Sequence, residues 1–427
     1  QMRTTGKIAG VNISDIAAKP GTPVIIYDED MMRNQIRTYT GNFRSEMFDT
    51  RVVYASKAFL CGAMVEIIKE EGMYADVVSG GEMHCAVTSG LDPSRIYFHG
   101  NNKSAREISE AFEYGIGQIV ADNISEIEDI AAAAEKFQKP MRILLRINPG
   151  IEAHTHEYIT TARKDSKFGV SIDNEDMVRR IWERVQQCEY LEFAGFHAHI
   201  GSQIFSREAF VSEIDTMVDY TAHMQQEYGI TVQELDFGGG FAVVYTDADE
   251  PIPVEEVCPL IISECEKKVI QRRLNLKTIS IEPGRSIAGE AGYSVYTAGY
   301  SKTAEDKNYI FVDGGMADNI RPALYGAEYS CENISKPDAP MTGNYVIAGK
   351  CCESGDILIK NTQLPKTDAG DLIVINTTGA YGYSMASNYN RLGRPPVVFA
   401  SEGRARCVIR REEYTDMEKL ESNEQII

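Results

Sequence analysis

Val52-Val53-Tyr54-Ala55-Ser56-Lys57 reads as a short buried strand of β-branched and aromatic residues that stops at a lysine. A lysine in that position is expected to point its amine into a partly desolvated pocket. Loss of water there lowers an ammonium's pKa and frees the lone pair to attack a carbonyl. A lone strand-end lysine can equally reach out to water, so the rest of the chain has to decide.

Segments of similar texture recur along the chain. Together with 52–55, strands are expected at 74–78, 96–99, 118–121, 142–148, 193–199, 234–237 and 278–282, with amphipathic segments between them. Ser104-Ala-Arg-Glu107 and Ser125-Glu-Ile-Glu128 have the spacing of capping boxes, and Phe210, Ile214, Met217, Val218 and Thr221 form an apolar helix stripe. Eight strands alternating with helices over roughly 250 residues predict a parallel (β/α)8, TIM-like barrel. In such a barrel the strand C-termini make the reactive face. Here those ends carry Ser56-Lys57, His99-Gly100-Asn101, Asp122-Asn123, His197-Ala-His199-Ile-Gly201-Ser202, Asp236-Phe-Gly238-Gly239-Gly240 and Glu282-Pro-Gly284-Arg285. So many reactive side chains on one rim point to an enzyme.

Beyond about residue 290 the texture changes to short alternating or β-branched runs, from Tyr293–Tyr300 to Arg404–Arg410, separated by Gly-rich or polar turns. Glu402-Gly403 looks like a hairpin turn. The expected organisation is therefore a barrel over 31–285 and an all-β domain, a β-sandwich or β-barrel, made of 1–30 and 286–427. In the second domain, Pro23-Val24-Ile25-Ile26-Tyr27 would pair with a distant part of the chain.

The 427 residues carry a formal charge of −20, which argues against nucleic acid or anionic lipid as partners. No apolar run of about 18 residues is present, so no membrane span is expected. Residues 1–10 lack a basic-then-apolar leader pattern, and a cytoplasmic location is the expectation. The nine cysteines include no C-x-x-C pair, which fits reduced thiols better than a disulfide framework.

Gly238-Gly239-Gly240 after a strand lets backbone amides approach an anion such as phosphate, but it is no dinucleotide fingerprint. His197-Ala-His199 could ligate a metal or stack on a flat ring, and His154-Thr-His156 lies nearby in sequence. No Asp-rich set accompanies either pair, and no metal is expected. Glu282 could face a protonated pyridine nitrogen, with Arg285 beside it suited to phosphate or carboxylate. With Lys57, His199 and the glycines, these groups describe a pyridoxal-phosphate site.

The motifs Tyr54-Ala-Ser-Lys57, Ser166-Lys-Phe-Gly169, His197-Ala-His-Ile-Gly-Ser-Gln203, Asp236-Phe-Gly-Gly-Gly240 and Glu282-Pro-Gly-Arg285 resemble the alanine-racemase-type barrel decarboxylases. Arg321-Pro-Ala-Leu-Tyr325, Cys352-Glu-Ser-Gly-Asp356 and Gly379-Ala-Tyr-Gly-Tyr-Ser384 narrow the resemblance to the diaminopimelate decarboxylases, in order from about 20 to 420. Thr161-Ala162 and Lys350-Cys351 depart from the family's usual residues, at positions without a catalytic group.

The resemblance implies that Lys57 holds pyridoxal 5'-phosphate covalently and is displaced by the substrate amine. It implies that His199 stacks on the ring, and that Ser202, Gly239, Gly240, Gly284, Arg285 and Tyr381 hold the phosphate. Glu282 would keep the ring nitrogen protonated. Cys352 would return a proton to the α-carbon from a second subunit, making a homodimer with a shared site, while Cys351 would be a buried bystander. Arg285, Arg321, Tyr325 and Tyr381 would read the substrate, the first three its distal carboxylate, and Glu353 the distal amine. The implied reaction takes meso-2,6-diaminopimelate, a small amino acid, to L-lysine and CO2, the last step of lysine biosynthesis. Its rivals are a decarboxylase of D-lysine, D-ornithine or another basic amino acid, a silent homologue binding a partner protein, and a zinc hydrolase. The long polar segment Ile151–Lys164 is a candidate for a loop that closes over the site.

Overall fold

A computed structural model describes residues 6–151 and 165–427. The expected closing loop from 152 onward, His154-Thr-His156 and Thr161-Ala162 lie outside the described residues. The chain divides into two compact units. One comprises Arg33–Val243 and Glu250–Ile287; the other comprises the chain up to Met32, Val244–Asp249 and Ala288–Ile427. Val244–Asp249 groups with the second unit, although it lies in sequence within the segment expected to be barrel.

In the first unit, eight parallel strands close into a barrel: β1 (Asp49–Ala55), β2 (Tyr74–Val77), β3 (Ile96–Phe98), β4 (Gln118–Ala121), β5 (Met141–Asn148), β6 (Leu191–His197), β7 (Glu234–Asp236) and β8 (Thr278–Ile281). Each pairs with its neighbour, and the ring is completed where Thr278 to Ile281 lie opposite Asp49 to Val52. Strand alternation turns Val53, Tyr97, Val120, Leu144 and Ala194 inward, where they pack as one cluster.

The floor of the barrel is polar. Glu234, at the start of β7, is fully buried and accepts hydrogen bonds from Tyr97 Oη (2.6 Å) and Ser280 Oγ (2.8 Å). Arg142 (3.4 Å) and Arg51 (3.7 Å) complete its charge balance. A carboxylate this buried is tolerable only with such company.

The helices between the strands start where the chain supplies caps. Ser104 and Glu107 form the expected capping box on helix Ala105–Tyr114, which ends at Gly115 in the left-handed region. The second expected box does not form. Asn123 caps helix Ile124–Phe137 by accepting the Glu126 amide, which places Ser125 inside the first turn. Asn is as good an N-cap as Ser and comes first in the chain. The stripe from Phe210 to Thr221 is buried along helix Arg207–Tyr228.

One close approach tests the barrel wall. A Cβ added at Gly195 in β6 would lie 1.9 Å from the Glu234 carbonyl oxygen, the residue it faces across the β6–β7 ladder. Gly195→Ala is expected to lower stability by about 2–4 kcal/mol, read as a fall in the urea midpoint at unchanged slope.

The second unit is built on a mixed sheet in the order Ile357–Pro365, Met341–Ala348, Lys307–Val312, Gly292–Ala304, Val24–Asp28, Val397–Ser401, Arg404–Ile409. Gly292–Ala304 turns the corner. Its first half pairs with Val24–Asp28 and Leu372–Ile375 and its second half with Lys307–Val312, with a register shift between Ala298 and Ser301. The early strand Val24–Asp28 sits in mid-sheet, antiparallel to one late strand and parallel to another. Ile13, Val24, Ile26, Val295, Val374 and Val398 belong to the core beneath it. Glu402-Gly403 does form the tip of a two-residue hairpin, both residues at positive φ, as that turn demands. Cys331–Asn333, which pairs with Leu372–Ile375, is too short to show a period in the sequence.

Candidate active site

Strand β1 ends at Ala55, and Ser56–Ala58 form one 3-10 turn that buries Ser56 and Ala58 and leaves Lys57 exposed. The expectation that the strand end desolvates this amine is therefore incorrect for the protein's own atoms. The turn leaves Lys57 exposed at the rim, where its charge acts on Asp76, Glu82 and His199.

Glu282 follows β8 and is 6 % exposed. His99 Nε2 lies 2.6 Å from one of its oxygens and His197 Nε2 lies 2.7 Å from the other. The two rings meet edge-on with centroids 4.6 Å apart. Burial pushes the Glu282 carboxyl up, but the two imidazoles outweigh it and hold the group well below the usual carboxylate range. His99 is fixed from behind, because Lys103 Nζ pins the loop after β3 through Gly100 O, Val120 O and Glu126 Oε2, each at 2.8 Å.

Other charges converge on the same place. Asp76 (β2) and Asp236 (β7) are buried, and burial followed by the Glu282 charge raises both carboxyls well above their ordinary value. Arg146 projects from β5 with its guanidinium 4.6 Å from the Phe168 ring, in the field of Glu282, Asp76 and Asp236.

The glycines make a cradle that no side chain could share. A Cβ at Gly238 would lie 2.5 Å from Ala198 O, at Gly239 2.4 Å from Glu282 O and at Gly240 2.5 Å from Gly201 O. Gly238 and Gly240 also have positive φ. His199 accepts the Gly239 amide at its Nδ1 (3.3 Å), and Arg285 Nη2 donates to Ser202 Oγ (2.8 Å). A Cβ at Gly284 would meet Ala55 Cβ at 2.7 Å, so β1 and the turn after β8 touch there.

The two histidines of the His-x-His motif part company. His197 is buried on Glu282, while His199 is partly exposed beside Gly239. The group with metal-ligand spacing is a different one: His99, His197, Asp236 and Glu282 have donor atoms within 4.8 Å of one another. In that group each Glu282 oxygen already has an imidazole nitrogen within hydrogen-bond distance.

Burial pushes His197 down to about 4, against the pull of Glu282. Below the ordinary value of 6.5 the unfolded chain takes up the proton first, so stability present above 6.5 is lost as pH falls towards 4. The full loss corresponds to about 3 kcal/mol. Replacing His197 with Gln should flatten this arm of the stability–pH curve, measured by denaturant titration from pH 7 to 4.

Comparison with known proteins places this geometry. Residues 33–289 match the family described as pyridoxal-dependent decarboxylase, pyridoxal binding domain. The diaminopimelate decarboxylase of Bacillus subtilis is 44% identical over 416 residues, 97% of this chain and 94% of that protein. The chain belongs to the diaminopimelate decarboxylase family. Among solved structures, that of M. jannaschii diaminopimelate decarboxylase has a TM-score of 0.90 at 30% identity, covering 96% of this chain and 94% of that one. The Helicobacter pylori enzyme, solved with L-lysine, has a TM-score of 0.87 at 31% identity, covering 96% and 99%.

The cofactor of a pyridoxal-dependent decarboxylase fits the donors found here. An exposed amine, a buried carboxylate held ionised, and a backbone cradle closed to side chains and flanked by Ser202 and Arg285 are the contacts pyridoxal phosphate needs.

Of the residues expected to read the substrate, Arg321, Tyr325, Glu353 and Tyr381 lie in the second unit and Arg285 in the first. Arg321 is 6 % exposed, donates to Tyr329 Oη (2.8 Å) and stacks over Tyr245 (4.8 Å), with Tyr325 at 6.0 Å. Tyr381 sits in the left-handed region at φ 58°, a strained setting for a tyrosine. Cys352 and Glu353 are exposed on the turn before Asp356, with the Cys352 amide donating to Asn390 Oδ1 (2.6 Å) and Glu353 accepting the Gly355 amide. Cys351 is buried, and burial raises its thiol to about 11.

Sequence reasoning placed His99, His197 and Asp236 on the reactive rim and weighed His197 as a metal ligand, but tied none of them to Glu282, and it passed over Asp76 and Arg146. Arg146 did carry a signal: it lies two residues from the inward-facing Leu144, so alternation points a charge into the barrel.

Proposed function

We propose that this chain decarboxylates meso-2,6-diaminopimelate with pyridoxal phosphate, releasing CO2 and L-lysine as the last step of lysine biosynthesis. The full-length likeness to diaminopimelate decarboxylases carries the reading. When bound, pyridoxal phosphate supplies the electron sink for the pair left behind by the departing carboxylate.

The chain's residues do the rest. Lys57 would hold the cofactor through its amine. Glu282 would pair with the protonated ring nitrogen, and His199 would hold the ring. Ser202, Gly239, Gly240, Gly284, Arg285 and Tyr381 bind the phosphate. Arg285, Arg321 and Tyr325 read the distal carboxylate, Tyr381 borders the substrate as well, and Glu353 reads the distal amine. This distal clamp separates the substrate from simple diamine acids. Release of CO2 from meso-diaminopimelate, set beside D-lysine, L-lysine and L-ornithine, tests the assignment. Activity on a lysine or ornithine in place of diaminopimelate would overturn it.

We further place Cys352 of one protomer at the barrel of its partner, as the acid that protonates the α-carbon. Its exposure on the surface of its own unit supports this. Cys352→Ala should lower kcat by about 10²–10⁴-fold, the usual share of a general acid. Cys351→Ala should stay near wild type. Mixing Cys352→Ala with Lys57→Ala subunits should restore about a quarter of the activity under random exchange into dimers. No restoration would mean the site is not shared.

The cytoplasm is the proposed location. All nine cysteines are free, and among the described residues no helix is long and apolar enough to cross a membrane.

A further inference from the structure

Three buried carboxyls, Asp76, Asp236 and Glu282, crowd the mouth of one barrel. Groups this close, out of water, cannot all be ionised together. The cofactor reading needs one particular member of the set to carry the charge, and the positive groups nearby do not choose it. Arg146 acts on all three carboxyls. Hydrogen bonds do discriminate. Asp76 takes the Ser56 main-chain amide and Asp236 the Gly238 amide at 2.9 Å. Among these three, Glu282 alone has an imidazole on each oxygen.

We propose that His99 and His197 are a pair of positioning residues that select Glu282 as the ionised carboxylate by donating Nε2–H to its two oxygens, leaving Asp76 and Asp236 protonated. The proposal rests on the reading of Glu282 as the ring-nitrogen partner and supplies the reason that this carboxyl serves.

The tautomer follows from burial. His197 Nδ1 is buried with no hydrogen-bond partner, a setting that suits a bare lone pair better than an N–H. The proton therefore sits on Nε2, facing Glu282. Burial drives His197 towards its neutral form, so at neutral pH it holds Glu282 mainly as a hydrogen-bond donor, and any charge the two imidazoles take up adds to that hold. The edge-on contact of the two rings keeps both donors aimed at one carboxylate. The directions of titration agree. Glu282 is held low, while Asp76 and Asp236 are driven up by burial and by the Glu282 charge.

Infrared difference spectra of the full-length protein, with and without bound cofactor, test this. Subtracting E282Q in each background, with D76N and D236N subtracted in turn to assign the aspartyl bands that shift with it, identifies the Glu282 bands. At neutral pH the wild-type background should show an ionised carboxylate. The pair His99→Leu with His197→Leu should show a protonated carboxyl and lose about 10–100-fold in kcat, as removal of a supporting hydrogen bond commonly does. His99→Gln with His197→Gln keeps an N–H at the Nε2 position and should restore both the carboxylate band and most of the activity. Should the double Leu variant fail to fold, each single Leu variant should raise the pH at which the carboxylate band appears. A carboxylate that stays ionised at unchanged pH in the Leu variants overturns the proposal. Failure of the underlying cofactor reading looks different: E282Q would then leave kcat and the cofactor's absorbance untouched.

Discussion

Lys57→Ala is expected to remove the visible absorbance of the bound cofactor and to lower kcat by about 10⁴-fold or more, as loss of a covalent catalytic group does. The fold should survive, because the side chain is exposed and the turn that carries it is held by buried Ser56 and Ala58. Circular dichroism and the urea midpoint should match wild type. The contrast is informative: a large loss of activity at unchanged stability separates a catalytic lysine from a structural one. A Lys57→Ala protein that still binds the cofactor in coloured form and turns over would remove this residue from the mechanism.

The second large effect is expected at Glu282. Glu282→Gln keeps the shape and one acceptor but removes the charge, so a proton on the facing ring nitrogen loses its partner. Charge stabilisation of this kind in a buried site is worth about 10²–10³-fold in kcat when one group is removed. KM should move much less than kcat, because the residues proposed to read the substrate's distal groups do not include Glu282. Steady-state release of CO2, with the absorbance of the bound cofactor followed in parallel, provides the measurement. The substitution should also let Asp76 and Asp236 relax towards their ordinary carboxyl range, since the Glu282 charge is one of the causes that raises them.

The barrel was legible in the sequence because most of its strands are compact apolar runs rich in β-branched or aromatic residues, with reactive residues at one end; Glu234–Asp236 is the exception. All eight expected strands are present, 118–121 with unchanged bounds and the other seven with one or both ends shifted by one to three residues. Motifs carried the site wherever function sits in a contiguous stretch, as in the glycine triplet or the turn after β8. The charge set around Glu282 was hidden for a physical reason. His99 and His197 come from β3 and β6, and only closure of the barrel brings them to a residue after β8. No local pattern encodes that meeting. The exposure of Lys57 was missed because a strand end says where a side chain starts but not which way the next turn directs it. The cap at Asn123 was missed because the spacing rule was applied to Ser125, and the earlier residue competed for the same role.

The placement of Val24–Asp28 in mid-sheet has a consequence for biosynthesis. A growing polypeptide leaves the ribosome N-terminus first, so this apolar strand emerges well before its neighbours in the sheet. Its neighbours, Gly292–Ala304 and Val397–Ser401, lie more than half of this sequence further along. At 5–20 residues per second, roughly 10 to 50 seconds separate the strand from the first of them. Both edges of a Val-Ile-Ile-Tyr run lack their final partners for that whole interval, which is when holdase chaperones bind such segments. A nascent or prematurely terminated chain that stops before Gly292 has no native partner for that strand, so nonsense fragments of this protein are substrates for degradation or aggregation.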